Sequence, residues 1–154
     1  MIRGYFNSGR PYVKGLVYFA DFDQERPIQF LIDTGADITT VHPADFLPLN
    51  IDTASMGSPD RESIGIGGSA GSWSRSGIVM LPEDDSTTLS VLACDLDLAV
   101  PNETNMRYPS LLGRDVLQHF TLVVAGTRLI SLEAFPYVLN TPIPDFLRPL
   151  LNGI

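Results

Sequence analysis

Leu31-Ile32-Asp33-Thr34-Gly35-Ala36-Asp37 places a carboxylate directly after an apolar run. The glycine two residues on lets backbone crowd that carboxylate, and the threonine between them offers a hydroxyl for a local bond. Such a string delivers an acid to the floor of a water-poor cleft, where it can move a proton. It is equally the string of a strand-terminal aspartate that caps a turn. Downstream, Ser110-Leu111-Leu112-Gly113-Arg114-Asp115 repeats the form of an apolar run ending in a polar loop. The echo suggests two similar half-motifs packed about a pseudo-twofold axis. Between them lies Ser63-Ile64-Gly65-Ile66-Gly67-Gly68-Ser69. Its glycines suit a hairpin tip that needs positive φ and must open and close; a flexible surface loop is the plainer alternative.

Two other motifs overlap that stretch. Gly67-Gly68-Ser69-Ala70-Gly71 fits the Gly-x-Ser-x-Gly nucleophile elbow, and Asp95, Asp115 and His119 follow in triad order. The elbow needs a strand before its serine and a helix after it. The flanks Asp60-Arg61-Glu62-Ser63 and Ser72-Trp73-Ser74-Arg75-Ser76-Gly77 provide neither, and the chain is short for that fold. Gly65 to Ala70 loosely fits a dinucleotide fingerprint but has no β-branched strand before it and no helix after it. His42 and His119 lack ligand spacing with the single cysteine, so no metal site is expected. Cys94 reads as a small core residue, and His119 as the end of a short helix, where a positive charge suits the dipole. Trp73 is either an anchor for the hairpin or an ordinary hairpin aromatic. Glu83-Asp84-Asp85 reads as a solvated turn.

The elements that must position these residues are mostly strands. Val13 to Phe22 and Ile28 to Ile32 are rich in β-branched and aromatic residues, and the polar run Asp23 to Pro27 between them predicts a hairpin turn. Residues 38–42 are strand-like again, and residues 48–63 have loop chemistry. Ile78 to Leu81 and Leu89 to Leu98 read as strands either side of an acidic turn. Gly113 to Phe120 sets Val116, Leu117 and Phe120 at helical spacing, which predicts the one helix of the chain. Thr121 to Val124 and Leu129 to Leu132 form a second hairpin. The tail, residues 136–154, carries prolines at 136, 142, 144 and 149 and reads as extended and docked rather than helical.

The whole-chain numbers narrow the function. At 154 residues the chain suits one domain with a real core. No linker is visible, so a single domain over 1–154 is expected, with its core at about 10–135. A formal charge of −8 repels phosphate backbones, so nucleic acid is not an expected partner. Arg10, Pro11, Lys14 and Gly15 interrupt any apolar run near the start, and no stretch approaches the roughly 20 apolar residues of a membrane span. A cytoplasmic protein without a membrane partner is the expectation. One cysteine excludes an internal disulfide framework. The mean hydropathy of +0.12 hints at a buried subunit interface.

Taken together, Asp33-Thr34-Gly35-Ala36-Asp37, the glycine-rich stretch and Leu111-Leu112-Gly113-Arg114-Asp115 resemble the retropepsin-like aspartic proteases, from about Arg10 to Leu132. The resemblance implies an all-β fold: a small closed retropepsin-type barrel with one short helix near 113–120, working as a homodimer. It implies that Asp33 is the catalytic aspartate and that Thr34 bonds across to its symmetry mate. Gly35, Ala36 and Asp37 then line an extended peptide substrate, and Arg114 pairs with Asp37. Ile66, Gly67 and Gly68 match the tip of the family's flap, although one glycine of the retroviral pattern is missing. Arg10-Pro11 resembles the retroviral Arg-Pro whose arginine reaches the partner subunit. Asp115 stands where retroviral members carry asparagine. Residues 48–63 and the tail after Phe135 are longer than in retroviral members.

The implied reaction is peptide-bond hydrolysis, with a peptide or protein as substrate. Two carboxylates about 3 Å apart share one proton; the ionised one takes a proton from water and the neutral one polarises the scissile carbonyl. That chemistry calls for no cofactor and no metal. The chain holds one Asp-Thr-Gly, so the second acid must be Asp33 of another copy. The rival expectation, from another class, is a catalytically silent dimeric peptide-binding module with the same fold. The intact Asp33-Thr34-Gly35 speaks against it, because a pure binder has no use for two acids that resist ionisation.

Overall fold

Strands make up 48% of the chain. A computed structural model describes residues 1–65 and 68–154. In chain order the elements are β1 (Ile2–Arg3), β2 (Tyr5–Asn7), β3 (Arg10–Phe19), β4 (Gln24–Ile32), β5 (Thr40–Val41), α1 (Pro43–Phe46), β6 (Arg61–Gly65), β7 (Gly68–Pro82) and β8 (Thr88–Ala99). There follow β9 (Leu111–Leu112), α2 (Arg114–Leu117), β10 (Phe120–Ala125), β11 (Leu129–Ala134), β12 (Leu139–Pro142) and α3 (Arg148–Leu151). The larger sheet runs β12-β8-β5-β9-β4-β3-β7-β6, with β2 on β3 and a further pairing of β7 with β8; the smaller runs β1-β11-β10. The architecture is mostly β. Among the described residues no helix is long and apolar enough to cross a membrane.

Alternation along the long strands builds two apolar clusters. Val13, Val17 and Phe19 of β3, Val79 and Leu81 of β7, and Leu96 and Leu98 of β8 join Phe30, Phe46, Leu112 and Phe120 in the main core. Leu16, Met80 and Leu89 point the other way and meet Ile143 and Leu147 of the tail. The middle of the sheet is therefore covered on both faces, which is why these strands read as near-continuous apolar runs.

Several elements depart from the sequence expectations. The first hairpin turns earlier than expected, in a 3₁₀ turn over Ala20–Phe22 closed by Asp23 at φ 48°. Pro27 lies inside β4, opposite Leu16. β9 joins β4 only at Leu31 and Ile32, so around Pro27 one edge is open and its missing donor costs no ladder bond. The expected single helix near 113–120 is one turn, Arg114–Leu117, and Phe120 reaches the core from a strand instead. Two further short helices, α1 and α3, accompany it. The tail is extended only in β12 and then forms a 3₁₀ turn and α3. Pro149 is tolerated there because the first helical turn has no intrahelical donor to lose. Of the strand expected over 38–42 only Thr40–Val41 forms, because the Thr39 amide and hydroxyl are committed to Asp115.

Candidate active site

The two echoing strings lie side by side. β4 and β9 run parallel, with Leu31 opposite Leu111 and Ile32 opposite Leu112. The Leu31 amide donates to the Ser110 carbonyl at 2.8 Å, and the Asp33 amide to the Leu112 carbonyl at 3.1 Å. Asp33 is therefore the first residue beyond the paired strand, held by one last ladder bond.

The loop after it turns back on the carboxylate. The Gly35 amide donates to Asp33 Oδ1 at 2.9 Å, and the Ala36 amide to the Asp33 carbonyl at 3.2 Å. A Cβ at position 35 would stand 3.2 Å from that same Oδ1, a tight contact that would push the carboxylate by a few tenths of an ångström, roughly the width of the misfit. Thr34 is exposed at the tip.

α2 clamps the other side. The Arg114 amide donates to the Ala36 carbonyl at 2.8 Å, and the Asp115 amide to the Asp37 carbonyl at 3.2 Å. The Arg114 guanidinium pairs with the Asp37 carboxylate and reaches the Thr34 carbonyl at 3.5 Å. With the two side chains 58% and 78% exposed, this ion pair adds little stability; its use is to orient the loop.

Sequence reasoning missed the buried half of this clamp. Thr39 is fully buried, and its hydroxyl donates to Asp115 Oδ1 at 2.8 Å while accepting from the Gly113 amide at 3.0 Å. Asp115 Oδ1 also accepts from the Thr39 amide, at 2.9 Å, and from the Val116 amide, at 2.9 Å. Gly113 has no room for a side chain, since a Cβ would lie 2.7 Å from the Ile38 carbonyl carbon. Asp115 stood in the Leu111–Asp115 motif, but nothing in the sequence pointed to Thr39 as its partner.

Beyond the clamp, β6 and β7 pair as an antiparallel hairpin from Arg61 opposite Ser72 to Gly65 opposite Gly68. Gly68 opens β7, whereas Ile66 and Gly67 lie outside the described residues. An antiparallel hairpin has neither the turn into a helix that a nucleophile elbow needs at Ser69 nor the βα unit of a dinucleotide site. Trp73 anchors the base of this hairpin: it is buried in the main core and its indole donates to the Gly57 carbonyl at 3.1 Å. Arg10 is exposed at the start of β3. Burial pushes the Cys94 thiol up to about 12, so it is a structural residue and not a nucleophile. His42 is buried against the Pro109 carbonyl, at 2.7 Å from Nδ1, and burial holds its pKa below the usual histidine range. The structure thus brings Asp33, Thr34, Gly35, Ala36, Asp37 and Arg114 into one loop cluster.

Residues 10–124 match the sequence profile of one family, described as retroviral aspartyl protease. Among solved structures the chain is similar to a retropepsin-like aspartic protease from Rickettsia conorii, with 16% identity and a TM-score of 0.56 over 93% of this chain and 92% of that one. That likeness is one of fold. The chain is also similar to EIAV protease complexed with the inhibitor HBY-793, with 23% identity and a TM-score of 0.45 over 74% of this chain and 90% of that one. A search of curated proteins finds no match.

Proposed function

The chain belongs to the retroviral aspartyl protease family, and from that premise we propose that it is an aspartic endopeptidase whose site is shared by two copies. The observation that carries the reading is the placement of Asp33. Its carboxylate stands at the open end of two parallel strands, turned by the Gly35 amide and backed by a loop that α2 holds in place. A general base needs that kind of fixed position beside the bond to be cut.

One copy supplies one such carboxylate. The second is Asp33 of a partner copy, which makes the site isologous about a twofold axis. The ionised member of the pair takes a proton from the attacking water. The protonated member donates to the carbonyl oxygen of the scissile peptide bond; as the C–N bond breaks, the proton taken from water passes to the leaving nitrogen and a hydroxyl proton of the tetrahedral intermediate returns to the pair. Thr34, exposed at the loop tip, is placed to bond across to the partner loop. Gly35, Ala36 and Asp37 offer the edge along which an extended peptide lies, and the β6–β7 hairpin with Ile66, Gly67 and Gly68 is the flap that covers it.

Asp33→Asn tests the reading. It removes the ionisable base while keeping the shape and the acceptor for the Gly35 amide. Hydrolysis of an unstructured polypeptide should fall by at least about a thousandfold, with the thermal midpoint little changed. Residual activity within about tenfold of the parent would sink the aspartic mechanism. A parent chain that binds peptides and never cleaves them would leave the silent binding module standing.

A further inference from the structure

We infer that Asp97 is a positioning residue: with Arg61 it makes a proton-sensitive joint between the base of the β6–β7 hairpin and the strand beside the Asp33 loop. The inference rests on the reading above, in which the hairpin covers a peptide laid along that loop.

The joint sits where strands from both parts meet. At Asp97, β8 has Ser74 of β7 opposite on one side and Thr40 of β5 on the other. The Asp97 amide donates to the Thr39 carbonyl at 3.1 Å, and the Thr39 hydroxyl is what clamps the loop through Asp115 and Gly113. Arg61 opens β6 opposite Ser72. One residue thus meets the anchor of the Asp33 loop through its backbone and the root of the hairpin through its side chain.

The side chains at this point are short of partners. Asp97 is almost fully buried, and its Oδ1 makes no hydrogen bond. The Arg61 Nε stands 3.6 Å from that oxygen, beyond hydrogen-bond reach, while Nη2 of the same guanidinium donates to Ser74 Oγ at 3.1 Å. Ser72 Oγ, buried in the same niche, makes no hydrogen bond of ordinary geometry. An ionised carboxylate so placed is costly, because it has lost its hydration and gained no donor.

Two changes relieve that cost. A proton can settle on Asp97, which leaves Arg61 with Ser74. Alternatively the guanidinium moves in by about 0.7 Å to an ordinary donor distance, and Ser72 Oγ turns to donate beside it. Arg61 is the first residue of β6, so the choice of partner is a choice of tether. With Asp97 ionised, Arg61 ties the hairpin root to β8. With Asp97 protonated, it ties β6 to β7 alone.

The surrounding charges set the direction of the switch. Burial, opposed by Arg61 and Ser72 and helped by Asp115 on α2 and Asp60 ahead of β6, holds the Asp97 carboxyl above the ordinary carboxylate range. Asp60 is itself paired with Arg75, which also reaches Asp21. Asp95, on the same face of β8, and Glu62, next along β6, are exposed. Drawing Arg61 in favours the ionised form, so by linkage acid favours the untied root.

Trp73 is the single tryptophan of the chain and is buried at the hairpin base next to Ser72, so its fluorescence reads the joint without any substrate. Titrated downward from neutral pH, the parent should show a step in Trp73 emission above the ordinary carboxylate value, with far-UV circular dichroism unchanged. Asp97→Asn should abolish the step. Arg61→Gln should move it to higher pH, because the opposing cation is gone. In hydrolysis of an unstructured polypeptide, KM of the parent should rise at least about threefold across the step, as the tied form is depleted. KM of Asp97→Asn should stay flat there, while kcat of both proteins follows the same pH limbs. No step in the parent, or a step that persists in Asp97→Asn, overturns the joint. A step that belongs to Asp97 with KM unchanged across it overturns the positioning role. A parent that shows the Asp97 step and cleaves nothing supports the joint and counts against the peptidase reading alone.

Discussion

Asp97 shows how a single side chain can carry a cost that the rest of the fold absorbs. It is 6% exposed, its Oδ1 makes no hydrogen bond, and the Arg61 guanidinium stands 3.6 Å away. Ser72 Oγ, buried nearby, makes no hydrogen bond of ordinary geometry but lies close enough to Asp97 to oppose, with Arg61, the effect of burial. Burial pushes the Asp97 carboxyl above the usual carboxylate range, against the opposing pull of Arg61; Asp115 and Asp60 add to the rise. The sign for stability follows. Between the ordinary carboxylate value and the raised one, the folded chain keeps a proton that the unfolded chain has lost, so stability falls as pH rises through that window. Asp97→Asn, which cannot ionise, should therefore melt higher than the parent at neutral pH. Its advantage should vanish at a pH below the ordinary carboxylate value. Thermal melts of both proteins across that range check this, and a variant that melts lower at neutral pH would mean that the Arg61 pair outweighs desolvation.

The elements around Asp33 are short, and their precision comes from the bonds between them. β9 and α2 together span few residues, yet they hold the 33–39 loop through Thr39, Asp115 and Gly113. Thr39→Val keeps the shape of the side chain and removes its hydroxyl. The Gly113 amide and part of the Asp115 carboxylate then lose a buried partner, which should cost about 1–3 kcal/mol in denaturant unfolding. Because the loop carries Asp33, kcat should fall while KM changes little. Loss of stability with unchanged kcat would show that the clamp supports the fold without positioning the acid.

For the whole molecule, the feature to explain is apolar content high enough to suggest a buried interface. Part of it is used within one chain, where the tail closes a second cluster on the outer face of β3, β7 and β8. Leu147→Ala should cost about 2 kcal/mol, the low end for a buried leucine in a small cluster, and the loss should not depend on protein concentration. A strong concentration dependence would place the tail between copies instead. Much of the site was legible in the chain because its signals are local: an apolar run, an acid, a glycine and a helix start in consecutive positions fix strand end, turn and clamp. The hairpins were legible for the same reason, since neighbours in sequence pair through short turns. Thr39 with Asp115, Arg61 with Asp97, Trp73 with Gly57 and the tail on Leu16 join residues far apart along the chain. Many residues satisfy the chemistry of each such contact, and only the packing of the complete chain selects among them.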